Sequence, residues 1–204
     1  MTAAEVTALL LFCTAMSFSP GPNTTLSTAL AANAGLRRAL RFCIAVPMGW
    51  TVMMIGSGLG LGALVLGVPA LRWTVKVLGV GYMLWLAWKL ARAGQLAQVD
   101  ASRLQVTFWQ GVGLQFLNIK AWMLALTLSA GWVVNAAGEP ASNPGERLAI
   151  VCALMFFFAF SSNFTYALVG SLLRGWLAHG QRLLWFNRAL ALVLAATAAW
   201  MVVV

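Results

Sequence analysis

Long apolar segments separated by short polar stretches occupy almost the whole chain. Six of them lie at about 6–31, 42–66, 70–90, 107–134, 148–173 and 183–204. A transmembrane helix needs roughly 20 consecutive apolar residues, and every segment reaches that length. The segments are also too long and too continuously apolar for the tilted strands of a membrane barrel. The pattern predicts an all-α integral membrane protein of six transmembrane helices, built as a single domain over residues 1–204.

Two of these segments are interrupted near the middle by residues that do not suit a helix in lipid. Ser19-Pro20-Gly21-Pro22-Asn23 interrupts the first segment, and Asn118-Ile119-Lys120 places an amide and a cation inside the fourth. Proline removes an intrahelical hydrogen bond and clashes with the preceding turn. A lysine buried in the membrane is costly enough to suggest a functional site. The sequence therefore predicts that transmembrane helices 1 and 4 are broken.

The positions of the two interruptions indicate an internal symmetry. Asn23 lies 14 residues before Arg37, whereas Asn118 lies 15 residues after Arg103. Because three spans are followed by three more, the second half enters the membrane in the opposite direction. We expect a 3+3 inverted repeat with halves at about 1–95 and 104–204. Transporters with such repeats bind substrate near the bilayer midplane, between discontinuous helices.

Basic residues are distributed unevenly between alternate loops of a chain whose formal net charge is +9. Cytoplasmic loops of membrane proteins carry the excess of Lys and Arg, so we predict both termini in the periplasm and no nucleic-acid partner. The first apolar run has no preceding Lys or Arg, unlike a secretory signal peptide, and we expect it to be retained. In or beside loops 1–2, 3–4 and 5–6 are nine cations, namely Arg37, Arg38, Arg41, Lys89, Arg92, Arg103, Arg174, Arg182 and Arg188, against Arg72, Lys76 and Arg147 in the alternate loops.

Several classes of function find no support in the sequence. The four acidic residues all lie at termini or in loops, and no Walker A motif for ATP is present. The three cysteines, Cys13, Cys43 and Cys152, fall inside spans and have no metal-ligand spacing. No nucleophile–base pair is evident. We therefore expect no metal, no other cofactor and no enzymatic activity.

Glycine and tryptophan positions add two expectations about packing. Span 2 holds Gly56, Gly58, Gly60 and Gly62 in two overlapping G-x-x-x-G patterns, which let helix backbones approach closely. We interpret them as intramolecular packing, with a homodimer through this helix as the alternative. Tryptophans near span ends are interpreted as anchors at the lipid–water interface, namely Trp50, Trp73, Trp85, Trp88, Trp109, Trp132, Trp176, Trp185 and Trp200.

The first interruption is a candidate binding site for a carboxylate. A half-helix can restart after it, with Asn23 or Thr24 as N-cap. Its free N–H groups and positive dipole end attract anions. The alternative is a proline kink without a ligand. The candidate substrate-binding residues here are Pro20, Gly21, Pro22, Asn23 and Thr24.

Three further residues complete the candidate site. Lys120 lies about 18 Å into its span at the usual helical rise, so we expect its ammonium to face the bundle interior. It can pair with a substrate carboxylate, cap the carbonyls of a broken helix, or carry a proton, since burial disfavours its charged form. Asn118 can coordinate both ends of an amino acid. Asn163 lies in a polar patch with Ser162, and either lines the pathway or pairs helices.

Three stretches resemble signatures of the LysE/RhtB family of amino-acid exporters. They are Ser19-Pro20-Gly21-Pro22-Asn23 in the first helix, Gly79-Val80-Gly81-Tyr82-Met83-Leu84-Trp85-Leu86-Ala87-Trp88-Lys89 at the end of the third, and Gln115-Phe116-Leu117-Asn118-Ile119-Lys120 in the fourth. Most members have proline where this chain has Ile119. In having isoleucine instead of proline at this position, the chain resembles the cysteine/O-acetylserine exporter branch of the family.

The resemblance implies a multi-pass exporter in the bacterial inner membrane. Its substrates would be small amino acids or their derivatives, either cysteine/O-acetylserine-like or threonine/homoserine-like. Export from the cytoplasm would be driven by the proton-motive force, with Lys120 as the candidate proton-coupling residue and membrane lipid as the surroundings. The alternatives are a membrane-embedded structural or assembly protein, and a lipid-modifying enzyme, for which the catalytic groups are missing.

Overall fold

The regular structure of the described residues is helical, as predicted. A computed structural model describes residues 1–58, 60–93, 106–134 and 142–203. Arg103 and Glu139, in two of the predicted loops, lie outside these residues. A π-helical turn at Ser129–Val133 extends the seventh helix. The helices are α1 (Ala3–Phe18), α2 (Pro22–Ala34), α3 (Leu36–Gly58), α4 (Leu61–Gly67), α5 (Pro69–Ala91), α6 (Phe108–Phe116), α7 (Ile119–Leu128), α8 (Pro144–Leu177) and α9 (Arg182–Val203).

The described residues hold between three and five candidate membrane spans. Helices α3, α8 and α9 are each long and apolar enough to cross a bilayer. The bent pairs α1–α2 and α6–α7 reach the same length and mean hydropathy when each pair is taken as one span. Helix α5 has 23 residues but does not reach that mean hydropathy, because Lys76, Lys89 and several tryptophans reduce it. The chain is thus a multi-pass membrane protein. The count of six spans and the inverted repeat stay predictions.

Both predicted helix breaks are present. Helices α1 and α2 meet at 51°, and α6 and the extended α7 meet at 67°. The first break covers Ser19, Pro20 and Gly21, and Pro22 is already the first residue of α2. The second break covers Leu117 and Asn118. A span crossed by a bent pair brings two half-helix ends into the interior of the bundle.

The predicted boundaries of the second span are wrong at both ends. Gly35 ends α2 with φ of +87°, and α3 starts one residue later. Arg37, Arg38 and Arg41 therefore lie within α3 rather than in a loop. At the other end α3 stops at Gly58, and the left-handed Gly60 precedes the short helix α4.

The end of α3 at Gly58 also divides the predicted G-x-x-x-G face. A Cβ on Gly56 would lie 3.1 Å from Leu61 Cδ1, and one on Gly58 would lie 3.3 Å from Leu148 of α8. Both glycines therefore pack within the chain. The intramolecular interpretation is the better supported one, and the homodimer stays a prediction.

Two other glycines allow the closest helix contacts. On α5, Gly79 lies directly against the carbonyl oxygen of Leu117, at the second break. On α8, Gly170 lies against the carbonyl oxygen of Thr28 in α2. A side chain at either position would overlap a backbone atom. These contacts fix α5 against the second break and α8 against the half-helix that follows the first.

The hydrophobic core consists mainly of two clusters, one on each side of the breaks. The cluster between the breaks and Arg37 is formed mainly by Leu26, Leu30, Phe42, Leu86, Leu90, Leu114 and Leu194. The cluster on the opposite side is formed mainly by Leu9, Trp50, Met53, Trp122, Leu128, Val151 and Met155. At that end of the bundle Arg147 forms a 3.1 Å ion pair with Glu5. The polar residues of the two breaks lie between these clusters.

Candidate functional site

A small cavity lies between the two helix breaks. Its open space is about 80 Å³, enough for several water molecules at about 10–15 Å³ each. Pockets for drug-sized ligands are several times larger, at about 300–1,000 Å³. The size therefore fits a small polar solute. The lining residues are Met16, Ser17, Ser19, Gly21, Pro22, Asn23, Thr24, Val46, Trp50, Gln115, Asn118, Lys120, Ala121, Leu124, Met155, Ala159 and Asn163.

The structure brings together seven of the eight residues that the sequence suggested for substrate binding. The exception is Pro20, which is exposed and is not among the residues that line the cavity. It contributes to the break through its backbone alone. The seven that line the cavity are Gly21, Pro22, Asn23, Thr24, Asn118, Lys120 and Asn163. Their role in binding stays a prediction.

The half-helix after the first break begins earlier than predicted. Its N-cap is Gly21, not Asn23 or Thr24, because Pro22 suits the first helical position, where no N–H is needed. The Gly21 N–H donates to Thr24 Oγ1 at 3.0 Å. The N–H groups of Asn23 and Thr24 are in the first turn, where a helix offers no backbone acceptor. Two backbone donors and the positive end of α2 therefore lie at the cavity.

The last carbonyl oxygens of α1 are all hydrogen-bonded without help from a cation. In a continuous helix, the N–H groups of residues 20 to 22 would donate to the backbone carbonyl oxygens of Met16, Ser17 and Phe18. Residues 20 and 22 are prolines and have no N–H. Ser19 Oγ donates to the Met16 oxygen at 2.8 Å. From α8, Ser162 Oγ donates to the backbone carbonyl oxygen of Ser17 at 2.6 Å, and Tyr166 OH donates to the backbone carbonyl oxygen of Phe18 at 3.1 Å. Lys120 is therefore not required as a cap for this helix end.

The ammonium group of Lys120 lies beside the first break. Its Nζ donates to Ser19 Oγ at 3.2 Å and lies 3.8 Å from the position of a Cβ on Gly21. Among the described residues this is the one hydrogen bond that the structure gives to a group with three donors. Because the α1 carbonyls are already paired, the remaining donors of Lys120 are available to a ligand in the cavity.

The second break is built differently from the first. Asn118 is the N-cap of α7, and its Oδ1 accepts a 3.2 Å hydrogen bond from the Lys120 N–H. The indole Nε1 of Trp122 donates to the Phe116 oxygen at the end of α6 at 2.9 Å. Leu117 contacts Gly79, as described above. Asn118 thus places the start of α7, and with it Lys120, opposite the start of α2.

Amide side chains connect the halves of the molecule around the cavity. Asn23 Nδ2 donates to Gln115 Oε1 at 3.0 Å, and Gln115 Nε2 returns a bond to Asn23 Oδ1 at 3.2 Å. Ser27 Oγ donates to Asn163 Oδ1 at 2.8 Å, and Asn163 Nδ2 donates to the Ala159 oxygen of its own helix. Asn163 therefore both lines the cavity and pairs α8 with α2. The two interpretations of this residue are compatible.

Four cavity residues with a polar group in the side chain are not among the candidates from the sequence. Gln115 and Ser19 belong to the two break motifs, so their neighbours in the sequence were a usable signal. Ser17 precedes the first break and had no such signal. Trp50 was interpreted as an interfacial anchor, which is wrong, because its side chain is only 3% exposed and belongs to the core.

Comparisons with known proteins agree with this architecture. The chain is 31% identical over 194 residues to the cysteine/O-acetylserine efflux protein of Klebsiella pneumoniae, covering 93% of this chain and 94% of the relative. It is 30% identical over 197 residues to the protein of that name from Salmonella typhimurium, covering 96% and 97%. The protein of that name from Escherichia coli O1:K1 is 26% identical over 196 residues, covering 95% of each chain.

The other two comparisons found no match. No protein-family model matches the chain, and no solved structure matches it. The curated relatives nevertheless extend over nearly the whole sequence. The chain therefore belongs to the LysE/RhtB-type family of amino-acid exporters.

Proposed function

We propose that this protein exports a small amino acid or amino-acid derivative from the cytoplasm, and that the cavity between the breaks is its binding site. The substrate would be cysteine/O-acetylserine-like, as the names of the relatives suggest, or threonine/homoserine-like. The supporting observation is Lys120, which faces the start of α2 and whose ammonium has one hydrogen bond among the described residues.

The chemistry of the lining suits the two charged ends of an amino acid. The carboxylate would be bound by Lys120 and by the N–H groups of Asn23 and Thr24, since all of these are donors near a positive helix end. The ammonium needs acceptors, and the side-chain oxygens of Asn118 and Gln115 each have a second lone pair. A zwitterion so placed would touch both half-helices at once.

Transport would proceed by alternating access around this site. The two core clusters pack on opposite sides of the breaks, so we expect the packing on each side to open in turn. We further propose six spans, with α5 as the span that the hydropathy test leaves out. Its 23 residues extend about 34 Å at 1.5 Å per residue. Arg72 near its start and Lys89 near its end are each next to a tryptophan that suits an interface.

The orientation follows from the asymmetry of the cations, with both termini in the periplasm of an inner-membrane protein. A reporter fused after Val204 should be active only if it is an enzyme that matures in the periplasm. Activity of a cytoplasmic reporter at the same position would mean that the orientation or the number of spans is wrong.

Coupling to the proton-motive force would pass through Lys120, which would bind the substrate when the site faces the cytoplasm and exchange it for a proton when the site faces the periplasm. Lys120→Arg tests this, because arginine keeps its charge in proteins. We expect this variant to retain counterflow and to lose export driven by a proton gradient. Full gradient-driven export would place coupling elsewhere, in water or in the amine of the substrate.

Efflux from proteoliposomes tests the proposed function. Purified protein would be reconstituted, loaded with a panel of labelled amino acids and derivatives, and compared with vesicles that carry the Lys120→Met variant. We expect efflux of at least one small amino acid that the variant does not support. If wild-type vesicles release none of the panel faster than empty vesicles, the alternative of a structural or assembly protein is favoured.

A further inference from the structure

Two buried polar groups in the cavity have no hydrogen-bond partner within the described residues. They are the indole Nε1 of Trp50 and the hydroxyl of Ser17. Trp50 is 3% exposed, so water outside the protein does not satisfy its N–H. Buried polar atoms are nearly always paired, and an exception calls for an explanation such as a bound ligand or water. Both residues line the cavity that holds Lys120.

The other polar side chains of the cavity are already engaged. Asn23 and Gln115 bond to each other, Asn163 bonds to Ser27 and to its own helix, and Thr24 bonds to the Gly21 backbone. Besides the backbone N–H groups at the start of α2, the groups with donors to spare include the Lys120 ammonium, the Trp50 N–H and the Ser17 hydroxyl. A cavity with spare donors suits a ligand that is rich in acceptors.

We propose that Trp50 and Ser17 recognise the side chain of the substrate and select small amino acids whose side chain carries a hydrogen-bond acceptor. This inference rests on the proposed function of the cavity and adds the class of side chain that the cavity prefers. An indole N–H can only donate, so it pairs with an ester, ether, hydroxyl or thiol group and finds no partner on an aliphatic chain.

The preference follows from the cost of an unpaired polar group. A substrate with an acceptor pairs the buried N–H, whereas an aliphatic analogue displaces any water from it and leaves it unpaired. A buried donor without a partner costs about 1–3 kcal/mol, which corresponds to roughly five- to 150-fold. Sites built to bond a polar group reject analogues that lack it by this mechanism.

The test compares two substrates in reconstituted protein. Vesicles would be loaded with labelled O-acetyl-L-serine, which has an acceptor-rich side chain, or with labelled L-norleucine, which has an unbranched hydrocarbon side chain. We expect wild-type efflux to favour O-acetyl-L-serine by about tenfold or more. Trp50→Phe, which removes the N–H and keeps an aromatic ring, should reduce that preference to about twofold, with norleucine efflux little changed.

Two further variants keep the test sharp. Ser17→Ala is small enough to be tolerated by the fold and should reduce the same preference by a smaller factor. Trp132→Phe is the matched control. The Trp132 Nε1 donates to the backbone carbonyl oxygen of Glu5 at 3.0 Å, and Trp132 does not line the cavity. It should leave the preference unchanged.

Each outcome decides the matter. Unchanged preference in both cavity variants overturns the inference and indicates that water occupies the two groups, while the proposed export stands. An equal loss of both substrates in Trp50→Phe, with Ser17→Ala like wild type, also overturns it, since the indole would then be structural. If wild-type vesicles export neither compound nor any other amino acid, the proposed function fails and this inference fails with it.

Discussion

The two helix breaks meet at one cavity, but the chain produces them by different means. At the first break, prolines remove backbone donors, and the freed carbonyls of α1 are bonded by Ser19 and by side chains of α8. At the second, the backbone could continue as a helix, and it is interrupted by the N-cap Asn118 and by the close contact of Leu117 with Gly79 of α5.

This difference indicates which parts of the molecule support each half of the site. The prolines at positions 20 and 22 cause the first break by themselves, and α8 mainly supplies hydrogen-bond donors to the carbonyl oxygens that the break leaves unpaired. The second depends on a neighbour, because nothing in Leu117 itself prevents a helix. We therefore expect variants on α5 to affect the second break most and variants on α8 to affect the first.

The largest effect is expected when α5 is pushed away from the second break. In Gly79→Ala the new Cβ would overlap the Leu117 carbonyl oxygen, so α5 or the break must move. Overpacking costs about 1–3 kcal/mol and occasionally more, and we expect the upper end of that range because a backbone atom has to move. The measurement is the thermal unfolding midpoint of the purified protein in detergent.

A neighbouring glycine supplies the control for this variant. Gly81 lies two residues along the same helix, is exposed, and has no atom within 4 Å of an added Cβ. Gly81→Ala should unfold at the temperature of the wild type or slightly above it. Equal behaviour of the two variants would show that the contact of α5 does not shape the second break.

A smaller effect is expected when the first break loses its prolines. Replacing both Pro20 and Pro22 by Ala restores two backbone donors, so that α1 and α2 can join into one helix and bury the N–H groups at the start of α2. We expect efflux to fall by about tenfold, or 1.4 kcal/mol, with membrane expression retained. Normal efflux would mean that the prolines only kink the helix.

The control for the proline variant is Pro69→Ala. Pro69 is also the first residue of a helix, α5, but it is exposed and does not line the cavity. Efflux by this variant should match the wild type. A comparable loss there would point to a general effect of proline removal on insertion rather than to the break.

The smallest effect is expected from the carbonyl partner that α8 provides. Ser162 is fully buried, and Ser162→Ala removes the hydroxyl that donates to the backbone carbonyl oxygen of Ser17 at 2.6 Å. We expect the free energy of unfolding to fall by about 1 kcal/mol. Thr165→Val is the matched control, since the Thr165 hydroxyl bonds only within its own helix and is exposed. Equal stability of the two variants would contradict the account of the first break.

Much of the architecture was accessible from the sequence because lipid imposes simple rules. Apolar length gave the helices and their approximate ends, and the prolines and Lys120 marked the breaks. The start of α3 was missed because Gly35 with a positive φ turns the chain without a polar loop. The division of span 2 at Gly60 was missed because glycine is used both for close packing and for turns.

The site was predicted less completely, for reasons that concern packing. The residues with local signals, such as Gly21 and Asn118, were found, whereas Trp50 and Ser17 reach the cavity only through the way α1 and α3 pack. Tryptophan near a span end is usually an interfacial anchor, and nothing in the sequence shows that Trp50 is buried. Pro20 was included because of its motif, although it lies outside the cavity.

Equilibrium binding tests the central claim most directly, namely that Lys120 beside the first break binds the carboxylate of an amino acid. Purified wild-type protein and Lys120→Met would be compared for binding of labelled O-acetyl-L-serine and of its carboxamide analogue. Hydrogen bonds to charged groups contribute about 1.5–3 kcal/mol, so the wild type should favour the carboxylate by roughly ten- to 150-fold. The variant should keep only the smaller preference that the N–H groups at the start of α2 provide. Undiminished preference for the carboxylate in Lys120→Met would contradict the account.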